Sequence, residues 1–149
     1  MSLGDSVTNL YLQVIELAFD SEQIERHRRR FEKARLSKTS YMSNSKWGKF
    51  FIAVKDSEIS LRDETIKCIT DDVIRHFDLK KDGLYIFNGK HHRYSTRDGA
   101  NGGPVFYREI EWIFIPFHND INALKNLIDG IGIYEYDISE EGMKIYGYK

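Results

Sequence analysis

Val7, Leu10, Tyr11, Val14, Leu17 and Ala18 recur at steps of three and four residues, which predicts an amphipathic helix capped by Asp5 or Ser6. Asp20-Ser21 interrupts that pattern, and a second helix is expected from Ser21 to about Leu36. Only Ile24, Phe31 and Ala34 mark its inner side, so most of it should be solvated. A Ser/Thr-rich loop from Ser37 to Ser45 leads to a third helix capped by Ser43 or Asn44. Trp47, Phe50, Phe51 and Val54 stand there at i, i+3, i+4 and i+7, a face that must be buried.

The period then changes. Thr65 to Ile69 reads as a strand and Val73 to Phe77 as a weaker one. Lys81-Asp82-Gly83 signals a turn. Leu84 to Phe87 is apolar on both faces, which places it centrally in a sheet. Asn88-Gly89 predicts a hairpin leading to His91–Ser95, and Thr96 to Pro104 a flexible loop. Val105 to Ile115 is expected to be one long strand ended by Pro116. Alternation would put Phe106, Arg108, Ile110, Trp112 and Phe114 on one side of it, and Glu109 and Glu111 on the other.

Asn119 should cap a fourth helix with Ile121, Leu124, Leu127, Ile128 and Ile131 as its stripe, ended by Gly130 and Gly132. Ile133 to Ile138 and Met143 to Tyr148 read as a hairpin around Ser139–Gly142. Tyr134 and Tyr136 on one strand and Tyr146 and Tyr148 on the other suggest aromatic cross-strand pairs. The implied fold class is α+β: a mostly antiparallel sheet with helices packed on one side, preceded by an N-terminal helical region. One domain is expected over 1–149, with a helical extension at 5–36 and an α+β core at 43–149.

Composition narrows the function. The single cysteine, Cys68, excludes an intrachain disulfide and reads as a buried, inert thiol. No apolar run approaches a membrane span and no secretory signal opens the chain, so a cytoplasmic location is expected. Net charge is −1, which supplies no overall field for a polyanion. The charge is unevenly spread, however. Ser21 to Lys38 carries seven Lys/Arg against three Glu, whereas Asn126 to Met143 carries five acids and no Lys or Arg.

Catalytic motifs are not found. Gly99 to Pro104 has glycines but no Gly-Lys-Ser/Thr, and a strand follows it where phosphate binding needs a helix. Adjacent His91 and His92 would point to opposite faces of a strand, and no His-x-x-x-His or Cys-x-x-Cys spacing occurs, so no metal site is expected. No Gly-x-Ser-x-Gly elbow is present, and no cofactor is implied. Glu109 and Glu111, two apart on a strand, could converge for acid–base work with a histidine such as His92; a solvated strand face, or pairing with Arg108 or Arg93 across the sheet, fits them equally.

Three segments carry a resemblance: Ser43-Asn44-Ser45-Lys46-Trp47, Tyr107-Arg108-Glu109-Ile110-Glu111-Trp112-Ile113 with Ile115-Pro116, and Ile145-Tyr146-Gly147-Tyr148. Together they resemble a family of small uncharacterised bacterial proteins, over Met42 to Lys149. The resemblance implies no established activity. Small bacterial α+β proteins of this type include many immunity proteins encoded beside toxins.

The leading expectation is therefore a protein-binding module, most concretely an immunity protein that neutralises a basic bacterial toxin. Its binding residues would be Asp129, Tyr134, Glu135, Tyr136, Asp137, Glu140 and Glu141, acids around tyrosine anchors. The alternatives are a hydrolase using Glu109, Glu111 and His92, and a nucleic-acid-associated regulator using the arginine-rich helix; that charge run, partly balanced by Glu22, Glu25 and Glu32, reads first as a solvated face, so nucleic acid is not the expected partner.

Overall fold

The computed structural model describes residues 21–82, 86–87, 90–91, 95–96 and 105–149. The helix expected over Val7–Ala18, His92, and the loop from Arg97 to Pro104 lie outside the described residues. The fold is α+β, with a five-stranded antiparallel sheet and four helices among the described residues. The helices are α1 (Ser21–Leu36), α2 (Asn44–Asp56), α3 (Leu79–Asp82) and α4 (Ile121–Ile131). The strands are β1 (Thr65–Cys68), β2 (Ile74–His76), β3 (Ile86–Phe87), β4 (Lys90–His91), β5 (Ser95–Thr96), β6 (Val105–Phe106), β7 (Ile110–Pro116), β8 (Tyr136–Ser139) and β9 (Gly142–Tyr146).

The main sheet runs β2-β1-β7-β9-β8. Two antiparallel pairs, β1–β2 and β8–β9, thus flank β7, the central strand. Ile86 and Phe87, the described part of the Leu84–Phe87 run, are not in the main sheet, where that apolar run was expected to be central. Ile86 and Phe87 pair with His91 and Lys90 in a separate two-stranded sheet, which is the pairing the Asn88-Gly89 signal called for. Thr96, read as loop, pairs with Val105. Lys80 to Asp82 belong to the single-turn α3, with Asp78 Oδ1 accepting from Lys81 N at 2.9 Å, so the first two turn-signal residues close a helix instead.

The core forms on one side of the sheet. Ser43 caps α2, its Oγ accepting from Lys46 N at 3.1 Å, and this phase turns Trp47, Phe50, Phe51 and Val54 inward. All four are buried, and Trp47 stacks on Phe51 with ring centroids 5.7 Å apart. Ile66, Ile113, Ile115, Met143 and Ile145 meet them from the sheet, and Leu124 and Ile128 from α4. Asp120, not Asn119, caps α4. Asn119 instead bridges two backbone segments: its Oδ1 accepts from Arg62 N at 2.8 Å, and its Nδ2 donates to Arg62 O and Pro116 O. Neighbouring Asn and Asp offer the same capping chemistry, so the sequence could not choose between them.

Helix α1 is fastened at one end of the sheet, where Phe31 and Ala34 pack on Ile69 and Tyr148. The chain leaving it pairs with the C-terminus: Thr39 N donates to Lys149 O at 2.7 Å and Tyr41 N to Gly147 O at 2.9 Å. Close approach at that seam requires Gly147, since a Cβ there would lie 2.1 Å from the Ile110 carbonyl oxygen. Gly147→Ala should therefore cost about 1–3 kcal/mol through forced backbone movement. Gly48→Ala, in the interior of α2 with nothing within 4 Å of the added carbon, should gain roughly 0.5–1 kcal/mol. Urea titrations of the two variants check the pair, and equal shifts would remove the seam as a tight contact.

Candidate functional site

The expected acidic surface is largely self-neutralised. Asp129 accepts from Lys125 Nζ at 2.9 Å and from Tyr136 Oη at 2.8 Å, and the Lys125 ammonium holds its carboxyl below the usual range. Glu135 pairs with Lys149 at 2.8 Å, and Asp137 stands 3.9 Å from the same ammonium. Lys125 and Lys149 sit just outside the stretch that looked uncompensated. Tyr134 is not an open anchor, and Tyr136 is half-buried. Tyr134 is buried and donates to Lys46 O at 3.0 Å, and Tyr136 pairs with Ile145 on the helix-covered side. Tyr136 and Tyr146 are therefore not cross-strand partners. Glu140 and Glu141 are exposed at the hairpin, with no ion pair among the described residues.

Glu109 and Glu111 do not share a strand face. Tyr107 to Glu109 is a turn of 3-10 helix, so the expected strand Val105–Ile115 is broken. A bulge follows between β1 and β7: Lys67 pairs with Trp112 but Cys68 with Ile110, leaving Glu111 as the extra residue. The bulge resets the alternation. Ile110 joins Ile113 in the core, while Trp112 and Phe114 turn to the opposite side. Each glutamate is claimed by basic groups. Glu109, 4% exposed, meets His27 Nε2 at 2.7 Å. Glu111 meets both Lys38 and Lys67 at 2.8 Å.

His27 lies one turn before Phe31 on the side of α1 that faces the sheet end, a position its spacing could have shown. The Glu109 hydrogen bond raises its pKa, outweighing partial burial, with smaller opposing effects from Arg30 and Arg108. A raised folded-state pKa means that this pair's stabilisation is complete below the ordinary imidazole value of 6.5 and is lost as pH rises through the raised one. The stability difference between wild type and His27→Gln should therefore be full below pH 6.5 and shrink as pH rises above it into the alkaline range. Denaturant titrations across that range check it, and a constant difference would remove the pair's charge from the account. Burial pushes the Cys68 thiol well above its ordinary value, the inert state expected of it.

The strand registers define a second surface that the sequence did not reveal. On the side of the sheet away from α2 and α4, one cross-strand row reads Ile74, Lys67, Trp112, Tyr146. The next reads His76, Thr65, Phe114, Lys144, Asp137. Three aromatic residues from the two inner strands β7 and β9 thus lie side by side, each half-buried. Lys144 Nζ stands 4.6 Å from the centroid of Trp112, and Lys149 Nζ 4.6 Å from that of Tyr146. Lys67 and Lys149 are already held by Glu111 and by Glu135, so the surface is close to electrically balanced. Its β2 border carries exposed Val73 and Ile74, and its β8–β9 border Asp137, Glu140 and Glu141. Among the described residues, α1 reaches only the end of this surface, at Ile69 and Tyr148.

Among the described residues, no helix is long and apolar enough to cross a membrane, and no group of three or more His, Cys, Asp or Glu is placed to hold a metal ion. No protein-family model matches the chain, and neither does any curated protein or solved structure.

Proposed function

We propose that this chain is a protein-binding module whose recognition surface is the aromatic side of the sheet. The observation that carries the reading is the pair of cross-strand rows that bring Trp112, Phe114 and Tyr146 together opposite the helices. Trp, Tyr and Phe are enriched in the cores of protein interfaces, where charged groups are depleted, and they dominate hot spots. A polyanion would need uncompensated cations, and here Lys67 and Lys149 are already paired.

The partner is a protein with a basic flank. Asp137, Glu140 and Glu141 line one border of the surface and would steer such a partner into place. In its most concrete form the chain is a cytoplasmic immunity protein that neutralises a basic bacterial toxin. The acidic hairpin keeps a role in that reading as a rim, while the anchors move from Tyr134 and Tyr136 to Trp112 and Tyr146.

The test is quantitative binding of a captured, identified partner to a series of variants. Trp112→Ala and Tyr146→Ala should each weaken binding by about 2 kcal/mol or more, roughly thirtyfold, with the unfolding midpoint checked for each. Charge reversal of Glu140 and Glu141 together should lower the association rate and flatten its salt dependence. Unchanged affinity in both aromatic variants, or no retained partner at all, overturns the reading.

A further inference from the structure

The charges on α1 divide by side of the helix. Glu25 holds Arg28 and Arg29, at 2.7 and 3.1 Å, and Glu32 holds Arg35 at 3.0 Å. The Arg28 guanidinium beside it lowers the Glu25 carboxyl to about 2. These residues occupy one exposed flank. Arg26, Arg30 and Lys33 occupy the other at i, i+4 and i+7, all exposed. Among the described residues, none of these three has a carboxylate within ion-pair distance. Glu22, one turn before Arg26, is exposed and forms no ion pair with it.

We propose that the Arg26–Arg30–Lys33 flank binds the phosphate backbone of a nucleic-acid strand, independently of the sheet surface. At about 1.5 Å per residue the three cations span roughly 10 Å in one line, which suits successive phosphates better than a single anion. Arginine forks match phosphate oxygens, and helical spacing repeats the contact along a strand. No base-stacking aromatic stands on this flank, so the binding is to backbone and carries no sequence preference.

The experiment uses the full chain and a fluorescent single-stranded oligothymidylate at low salt. Binding in the ~10⁻⁴–10⁻⁶ M range is expected, with log K falling against log salt at a slope of about −2 for three phosphate contacts. Replacing Arg26, Arg30 and Lys33 together by glutamine should weaken binding at least tenfold. Replacing Arg28, Arg29 and Arg35 by glutamine removes the same charge from the other flank and should change it less than threefold. Far-UV circular dichroism verifies that each variant keeps its helix. Equal losses in the two variants would mean that net charge alone is sensed and would overturn the proposal. So would the absence of binding at low salt, or equal competition by an oligoglutamate of the same charge.

Discussion

Replacing Phe50 by alanine is expected to lower the free energy of unfolding by about 3–5 kcal/mol. The side chain is fully buried and its ring lies within 5.8 Å of Trp47, 5.3 Å of Phe51 and 6.4 Å of Tyr134. Those neighbours sit on a capped helix and on the segment entering β8, so they cannot collapse into the space without moving both. The lost transfer energy and the residual cavity then add. Urea unfolding of Phe50→Ala provides the check. A midpoint equal to that of wild type would remove α2 from the core.

Glu111→Ala is the other large effect, expected at about 2–4 kcal/mol. Glu111 is 8% exposed and its carboxylate sits between Lys38 and Lys67, whose side chains are 33% and 16% exposed. Removing it leaves Lys67 nearly buried without its main partner. Breaking a fully buried pair costs about 3–5 kcal/mol, and the partly wetted Lys38 reduces that figure. The double variant Glu111→Ala, Lys67→Met should recover part of the loss, because no uncompensated charge then remains at position 67. Urea titrations compare the single and double variants, and a single-variant loss within about 0.5 kcal/mol of zero would show the network to be a surface arrangement. Burial raises the Glu111 carboxyl, but the two lysines more than offset it and leave the pKa below the ordinary 4.5. Its contribution is accordingly present above that value and is lost as pH falls through the lowered one.

Helices α1, α2 and α4 were readable because their signals are local, whereas the single turn of α3 was not. Trp47, Phe50, Phe51 and Val54 fix a face by spacing alone, and the stripe of α4 does the same. The sheet was less readable because its order depends on distant pairings. Leu84–Phe87 has the composition of a central strand, yet β7 holds that place through partners 42 to 49 residues before it and 26 to 34 after it. A single inserted residue at Glu111 puts Ile110 and Trp112, expected on one face, on opposite sides of the sheet, and alternation cannot reveal a bulge. The candidate surface was hidden for the same reason. Trp112, Phe114 and Tyr146 become neighbours only through register. The acidic stretch, conversely, was conspicuous in the sequence but is met in three dimensions by Lys125 and Lys149.

Oxidative footprinting of Trp112 and Tyr146, in the protein alone and in complex with its partner, tests the binding surface most directly. Both side chains should react in the isolated full chain and be protected in the complex, while buried Tyr134 stays unreactive in each state. Protection already complete in the isolated chain, or undiminished reactivity in the complex, would contradict the assignment of this side of the sheet as the docking surface.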